Sequence, residues 1–494
     1  MLAWTIYISF IGVAVLILLP AENKKAARAV ALFSALAGLA VAFAGVFQYK
    51  LGSGIADITN TPWIPSLSIH YHLAADGISL TLVLLTGIAA VVGILFSWNI
   101  ETRVKEFFAF YLALIGGVYG VFLSFDLFLL FVFYELAIIP KYFLIAIWGS
   151  TNREYGAMKL ALYSFVGSAM VLVGLIAAYV LAGAHTFDLV ELAKFSFPKA
   201  MQFWMFPFVF VGFAILAGLW PFHTWAPTGH VAAPTAASML LAGVVMKLGA
   251  YGSLRVAMTL FPDGLAAWRG VIAALAVVGI VYGAMVALVQ KDFKFVIGYS
   301  SVSHMGFVLL GLMTLTSIGL NGAVLQMFSH GIIAGLLFAV VGRMVYDRTH
   351  TRELSELQGM NLSKAIPFAA FTFVIGGLAS MGLPGFSGFV AELQVLIGAW
   401  RAFPALAILA GIGIVVGVAY IIRTIQKSFF SGMQLSVAPT SHPLETISVP
   451  ERIGAAILMA TTLLIGLYPT LLMKLIQSGF DSPLMARLLK GGTP

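Results

Sequence analysis

The chain has 494 residues, of which 61% are hydrophobic and 9% charged, and its mean hydropathy is +1.02. A soluble domain carries roughly 25% charged residues, so this composition excludes a soluble enzyme and a nucleic-acid binder and indicates an integral membrane protein. The sequence contains no cysteine, which excludes disulfides, thiolate metal sites and iron–sulfur ligation. Any redox centre coupled to this protein must therefore lie on another chain.

Apolar runs of spanning length follow one another along the chain, separated by charged or Gly/Pro-rich stretches. They predict an all-α polytopic membrane protein with about fourteen transmembrane helices and a single integral membrane domain over residues 1–494. The first run has no basic segment before it and no small-residue cleavage site, so we expect a retained span rather than a signal peptide. The predicted spans cover residues 2–20, 29–48, 77–98, 107–125, 127–149, 159–183, 204–222, 237–258, 270–289, 295–315, 319–342, 365–400, 405–428 and 452–473.

Two of these runs contain helix-breaking residues. The run 365–400 is too long for one straight helix and has the sequence Leu-Pro-Gly directly after Gly382. The run 204–222 contains Pro207 and, near its end, the pair Gly218 and Pro221. A simple proline kink is the alternative in each case, but a broken helix is expected at least in the longer run.

The distribution of basic residues indicates the orientation in the membrane. If residue 1 lies outside, the inner loops hold 16 of the 27 Lys and Arg residues, including Lys294, and the outer loops and tail hold nine, including Arg255. Because cytoplasmic loops carry an excess of Lys and Arg, this distribution places both termini on the non-cytoplasmic side.

Four charged residues lie inside apolar runs, namely Glu135, Lys141, Lys247 and Glu392. A lone charge at the centre of a bilayer costs several kcal/mol unless it faces the protein interior, pairs with another charge or binds a proton. Static ion pairs between some of these residues are the structural alternative. Four costly groups in one chain nevertheless favour a functional role over a structural one.

Two histidines add groups that titrate near neutral pH, His304 in YSSVSHMGF and His330 in QMFSHGIIAG. Each of them could also be a simple hydrogen bond between helices. Together with the buried carboxylates and lysines, they form the set of groups that a proton relay requires, because each can accept and release a proton.

The stretch between the seventh and eighth runs, from Trp220 to Gly252, is too apolar for a free loop and is expected to pack against the bundle beside a hydrated path. It contains His223 and His230. Their spacing of seven residues, with prolines between them, does not fit a helical pair of metal ligands, and no carboxylate lies nearby. No metal site is therefore predicted.

Five separated motifs, found in order over about residues 75–430, resemble the chain M (subunit 4) family of antiporter-like membrane subunits of NADH:quinone oxidoreductase, respiratory complex I. The motifs are FYELAIIPKYFLIAIWG, PFHTWAPTGHVAAPTAASMLLAGVVMKLGAYG, YSSVSHMGF, YDRTHTRELSELQGM and LPGFSGFVAEL. The resemblance implies two inverted five-helix repeats, at about 107–258 (helices 4–8) and about 270–428 (helices 9–13). It also implies that helices 7 and 12 are discontinuous.

The resemblance further implies a proton path. Matched by motif, its carboxylate on span 5 is Glu135, its lysine on span 8 is Lys247 and its carboxylate on span 12 is Glu392. A proton taken up from the cytoplasm would be stored on Lys247 and pass by His304 or His330 to Glu392. The histidines are alternatives at this stage.

The sequence departs from the family pattern at one position. The family usually has a lysine on span 7, seven residues before the His of PFHTW, and this chain has Leu216 there. Lys141, where the family usually has an uncharged residue, is a candidate replacement. Six residues on an ideal helix correspond to about 240°, so Glu135 and Lys141 are expected on different faces unless Pro140 alters the helix.

The resemblance implies that this chain is a subunit of a proton-translocating NADH:quinone oxidoreductase in the bacterial inner (plasma) membrane, with no redox site or cofactor of its own. FMN, iron–sulfur clusters and quinone would lie on partner subunits. Antiporter-like chains are expected on either side.

Other functions remain open from the sequence. A subunit of a multisubunit sodium/proton antiporter, or of a membrane-bound hydrogenase or formate-linked complex, would have similar motifs. A solute permease is disfavoured because no polar pocket is visible beyond the relay residues, and a scaffold has no use for four buried charges.

Overall fold

The computed structural model describes residues 1–183, 185–431 and 444–490. Within these ranges, twelve helices are long and apolar enough to cross a membrane, and two shorter apolar helices are Trp4–Leu18 and Pro367–Ser380. These helices coincide with all fourteen predicted spans, so the mostly helical polytopic architecture is confirmed.

Spans 1 to 14 are numbered in chain order, and spans 7 and 12 each consist of two half-helices. Their bounds are Trp4–Leu18, Lys24–Gln48, Gly77–Phe96, Val104–Leu123, Leu127–Trp148, Arg153–Ala182, Lys199–Ala217 with Trp225–Ala232, Thr235–Met258, Pro262–Val289, Phe293–Met313, Ser317–Thr349, Pro367–Ser380 with Ser387–Ala402, Pro404–Phe430 and Val449–Leu467. The connections contain the short helices Leu189–Leu192, Leu354–Leu357 and Leu362–Ala365, and two further helices, Thr470–Phe480 and Pro483–Lys490, follow span 14.

Both predicted breaks are present. The first half of span 7 ends at Gly218, which has a φ of +84°, a conformation that favours glycine. Span 12 is interrupted between Ser380 and Ser387, where Gly382 has a φ of +71°. A broken helix leaves backbone groups without partners inside the membrane. At span 7, the indole of Trp225 compensates in part by donating a hydrogen bond to the carbonyl of Ile215 across the break, at 2.8 Å.

Spans 3, 8 and 11 form the centre of the bundle. In each of them, the most apolar stretch is completely buried, whereas no more than 33% of the corresponding stretch is buried in spans 2, 13 and 14. Because lipid tails surround the outer spans, charges carried by spans 8 and 11 lie in the protein interior. This is the environment that intramembrane ionisable groups require.

Several spans contain turns of π-helix. One of these, Leu241–Val245, lies in span 8 immediately before Lys247, and another, Ser253–Met258, ends the same span. Spans 11 and 13 end in similar turns, Val340–Tyr346 and Gln426–Phe430. Single π-helical turns are frequent at functional sites because they loosen the regular hydrogen-bond ladder.

A β-hairpin between spans 2 and 3 was not predicted from the sequence. Strands β1 (Ala56–Ile64) and β2 (Ile69–Ala75) pair in antiparallel fashion around a short turn at Pro65–Leu67. The hairpin lies at the end of the bundle that the distribution of basic residues predicts to be the outer end. The helix Thr470–Phe480, called the surface helix below, packs at the same end against span 3, and the carbonyl of Leu475 lies against Gly77.

Candidate functional site

Lys247 lies at the centre of the bundle with no exposed surface. Its ammonium nitrogen donates to the carbonyl of Ala242, five residues earlier, within the π-helical segment of span 8. The same nitrogen lies 2.7 Å from Nδ1 of His330 on span 11. The local irregularity of span 8 thus supplies one partner of the lysine, and the neighbouring span supplies the other.

The two histidines are neighbours. The ring centroids of His330 and His304 are 5.5 Å apart, and the ring planes are tilted by only 30°. His304 Nδ1 lies 3.0 Å from a carboxylate oxygen of Glu392, and its Nε2 lies 3.1 Å from the hydroxyl of Ser380. His304 therefore bridges the break in span 12, since Ser380 ends the first half of that span and Glu392 belongs to the second half.

The break in span 12 also makes room for Glu392, which is 4% exposed. A Cβ atom added at Gly382 would lie 2.9 Å from a carboxylate oxygen of Glu392, so a larger residue at Gly382 would displace the carboxylate. The amide of Gln326 on span 11 donates to the other oxygen of this carboxylate, Oε1, which also faces His304, at 3.3 Å. The glycine therefore permits both the backbone turn and the position of the acid.

Four of the six predicted site residues therefore form one continuous line, which we call the central line: Lys247, His330, His304 and Glu392. The sequence left the two histidines as alternatives, and the structure places them in series. At 2.7 Å, Lys247 and His330 share one proton between their facing nitrogens, because a protonated His330 Nδ1 would be a donor facing the lysine's own donors.

The remaining two predicted residues are not joined to this line. Glu135 is half-buried on span 5, and one of its carboxylate oxygens has no hydrogen-bond partner among the described residues. Lys141 is fully buried one and a half turns later, and its ammonium nitrogen likewise has no hydrogen-bond partner in the described ranges. The two groups are near enough to attract each other, but they form no ion pair within 4.0 Å in the part of the chain described.

Leu216 lies where the missing basic residue of span 7 was expected. It is buried close to span 8, because a Cβ atom added at Gly249 would lie 3.0 Å from the carbonyl carbon of Leu216. Gly249 follows Lys247 by two residues. The backbone of Leu216 therefore packs against span 8 within one turn of the central lysine, and its buried side chain is apolar.

Sequence reasoning missed several buried charges, among them Arg255 and Lys294. Arg255, which was assigned to an outer loop, lies in the last turns of span 8 with no exposed surface and pairs with Asp76 at 2.7 Å. Lys294, which was assigned to an inner loop, is 2% exposed and donates to the carbonyl of Ala233 at 3.0 Å. Both assignments were wrong because a charge near the end of an apolar run can fold inward. The available signal was Asp76, a carboxylate directly before the first apolar residues of span 3, which is the partner of Arg255.

Lys294 borders a cavity at the inner end of the bundle. The cavity has a volume of about 360 Å³ and is also lined by Arg153, Asp347 and polar residues of the loop after span 3. His230 lies nearby, fully buried, and neither of its ring nitrogens has a hydrogen-bond partner in the described structure. The prediction that the Trp220–Gly252 stretch packs against the bundle is confirmed, since His223 is also buried. No cluster of three metal-ligating side chains occurs among the described residues.

The fold and the central line define a class of protein, a polytopic membrane protein with broken helices and a titratable path through its core. Comparison with known families agrees with this class. Residues 124–417 match the family described as "NADH:quinone oxidoreductase/Mrp antiporter, TM".

Among curated proteins, the chain is 39% identical to NADH-quinone oxidoreductase subunit M of Rhodobacter capsulatus, over 86% of this chain and 83% of that protein. It is 36% identical to an NAD(P)H-quinone oxidoreductase chain 4 of Synechococcus elongatus, over 92% of this chain and 86% of the relative. The chain therefore belongs to the subunit M (chain 4) family of NADH-quinone oxidoreductase membrane subunits.

Solved structures agree. A chain of respiratory complex I from Thermus thermophilus matches with a TM-score of 0.89 and 28% identity, over the full length of both chains. A chain of the Mrp complex from a Dietzia species has the same fold, with a TM-score of 0.84 at 20% identity, covering 100% of this chain and 99% of that one. At that identity, the second match shows a common fold only.

Proposed function

We propose that this chain is a proton-translocating, antiporter-like membrane subunit of NADH:quinone oxidoreductase, and that the central line carries the proton. The observation that supports the proposal is the unbroken succession of titratable groups from Lys247 to Glu392. Every member can bind and release a proton. Their burial excludes bulk water that would short-circuit the path.

A proton moves along this line by exchange between neighbours. Lys247 releases a proton to His330 Nδ1, and His330 gives up its Nε2 proton to water, which delivers a proton to Nε2 of the stacked His304. His304 then releases its Nδ1 proton to Glu392. Two unit charges on rings about 5.5 Å apart repel by about 3 kcal/mol at an effective dielectric of about 20. A second charge arriving on one ring therefore favours release of the proton from the other.

Glu135 and Lys141 form a separate charged site in the first half of the molecule. We infer that Lys141 replaces the amine absent at Leu216, because it is a completely buried lysine on span 5, near enough to Glu135 to attract it. Its long side chain can change partners as charges in neighbouring subunits change. In this role it tunes the charge of Glu135 from the same helix.

The path runs from the inner to the outer end of the bundle. The cavity beside Lys294 supports uptake at the inner end, with the buried His230 between this cavity and Lys247. We place this end in the cytoplasm and both termini on the opposite side of the bacterial inner membrane, because the inner loops carry the excess of basic residues.

We also infer that spans 4–8 (about 107–258) and spans 9–13 (about 270–428) are inverted repeats. Spans 5 and 10 hold equivalent positions in the two repeats, and each begins with an aspartate N-cap whose carboxylate accepts two backbone N–H groups, Asp126 and Asp292. Spans 7 and 12 are both broken, and spans 8 and 13 both end in a π-helical turn.

No redox step takes place on this chain. FMN, iron–sulfur clusters and quinone belong to partner subunits in this proposal, and antiporter-like chains flank this one in the membrane. Quinone reduction then acts on the central line through electrostatic coupling between neighbouring charged sites, since buried charges are screened little.

The test uses the whole complex in sealed vesicles, with Lys247→Met compared with Lys199→Met, a change at an exposed lysine at the start of span 7. Lys247→Met is expected to lower the proton-to-electron ratio and the coupled quinone reductase activity, whereas Lys199→Met should leave both unchanged. An unchanged ratio in Lys247→Met contradicts the proposal. Sodium uptake by vesicles without NADH would instead support a sodium/proton antiporter.

A further inference from the structure

Three buried amide side chains lie between Glu392 and the outer end of the bundle. They are Asn321 and Gln326 on span 11 and Gln394 on span 12, and none is more than 7% exposed. In each of them the amide oxygen has no hydrogen-bond donor among the described residues. Buried polar atoms in native proteins are almost always satisfied, and those without a protein partner bind ordered water.

In space, these amides follow one another from the carboxylate of Glu392 toward the surface. Gln326 donates to Glu392 at 3.3 Å and begins the series. The amide nitrogen of Gln394 lies 3.4 Å from the sulfur of Met473, and that of Asn321 lies 2.5 Å from the amide oxygen of Gln477. Met473 and Gln477 both belong to the surface helix, so the two outer amides end against one element.

The surface helix covers a cavity of about 550 Å³ that opens at the outer end of the bundle. Asn321, Met473 and Gln477 line its inner side, and the exposed residues Lys474 and Asp481 line its mouth. The partners of both outer amides are thus walls of a space open to the surface. Asn321 lines this space directly, and Met473 of the surface helix stands between it and Gln394.

Close packing of spans 11 and 12 leaves these amides as the groups that fill the interface. A Cβ atom added at Gly322 would lie 2.8 Å from Cβ of Gln394 and 2.8 Å from the backbone nitrogen of Val395. The two backbones are therefore in contact, and no apolar side chain can be inserted at Gly322 without displacing Gln394. An interface needed only for packing would have an apolar side chain at position 394 instead of Gln394, because burial of an apolar side chain leaves no acceptor unpaired.

We propose that Gln326, Gln394 and Asn321 line a hydrated proton exit from Glu392 to the outer cavity, with Gln477 of the surface helix as its outer gate. This inference rests on the proposed function, which it extends by naming the exit. Water held by the three amide oxygens forms the hydrogen-bonded path, and the proton moves along it without any bond to the amides. Movement of the surface helix releases Asn321 from Gln477 and connects the path with the outer solution.

The absence of cysteine from this chain permits a direct test of hydration. Gln394→Cys and Asn321→Cys are introduced singly into the complete complex. A small, charged, membrane-impermeant methanethiosulfonate is added to sealed right-side-out vesicles, so that it reaches only the outer end of the bundle. Labelling of this chain is followed by mass spectrometry. The matched control is Val395→Cys, one residue further along span 12 and fully buried in the apolar core.

Both amide positions are expected to react at least about tenfold faster than the control, because a thiol ionises and reacts only where water reaches it. The proposal is overturned if Asn321→Cys is labelled but Gln394→Cys is as inert as Val395→Cys. The reagent would then reach the cavity but find no path inward. Equal labelling at all three positions would also overturn it, because that indicates a loosened fold.

A second readout tests transport. Gln394→Met, which removes the polar group at similar volume, is expected to lower the proton-to-electron ratio several-fold, and Gln394→Ser, which leaves room and a hydroxyl for water, to retain most of it. Wild-type pumping by Gln394→Met would overturn the exit route. If Lys247→Met also pumps normally, the proposed function itself has failed, whereas the labelling pattern does not depend on pumping.

Discussion

The two halves of this molecule contain similar ionisable residues but arrange them differently. In the second half, Lys247, His330, His304 and Glu392 stand in contact across spans 8, 10, 11 and 12. In the first half, Glu135 and Lys141 have no hydrogen bond to each other, and the expected basic position on span 7 is occupied by a buried apolar residue, Leu216.

This difference shows what a complete relay requires. The second half has hydrogen-bond distances at two steps and a pair of stacked imidazole rings between them, whereas the first half has two charges whose interaction is only electrostatic. The first half is therefore suited to sense and transmit charge between subunits, and the second half to move the proton. The following predictions test that division.

The largest expected effect comes from neutralising the two carboxylates separately. Glu392→Gln is expected to lower proton pumping by at least about tenfold, because an amide cannot receive the proton that His304 delivers. Glu135→Gln is expected to lower pumping less, since this group adjusts charge and lies outside the central line. Pumping is measured as acidification of vesicles per NADH oxidised. Equal losses in the two variants would remove the distinction between the halves.

The next effect concerns the replaced lysine. Lys141→Met is expected to lower pumping a few-fold because Glu135 loses its nearest amine, a Coulomb interaction of a few kcal/mol at most. Adding Leu216→Lys to this variant returns the amine to span 7 and should recover much of the loss. Intact pumping in Lys141→Met, with pumping abolished in Lys247→Met, would contradict the replacement.

A smaller effect on transport, but a clear one on stability, is expected at the outer end of span 8. Asp76→Leu leaves Arg255 buried without its partner, which costs about 3–5 kcal/mol of stability. The expected result is reduced thermal stability of the detergent-solubilised complex, with an unchanged proton-to-electron ratio in the molecules that assemble. The double variant Asp76→Leu with Arg255→Leu should recover part of the stability. A fall in the ratio would instead make this pair part of the relay.

Much of this arrangement could be predicted from the sequence because charges are scarce in apolar runs. Glu135, Lys141, Lys247 and Glu392 stand out against residues that cannot be charged, and glycine and proline mark the broken spans. The order in which these side chains contact one another could not be predicted in the same way. Whether His304 and His330 act in parallel or in series depends on the packing of spans 10 and 11, which no local pattern encodes.

Charges near span ends were the main source of error. Arg255 and Lys294 look like loop residues by hydropathy, yet both fold inward to partners far along the chain, Asp76 and the carbonyl of Ala233. The hairpin after span 2 was missed because its strands are irregular, with register shifts near Asp57 and Pro62. For the two charges, the decisive partner lies far away in the sequence.

The most direct test of the central claim is a double-mutant cycle on the two histidines in the complete complex. His330→Leu and His304→Leu are compared with the double variant, and protons pumped per NADH are measured. Because the structure places the rings in series, the double variant is predicted to pump no less than the more impaired single variant. Substantial pumping in both single variants, lost only in the double variant, would mean parallel routes and would contradict the central line.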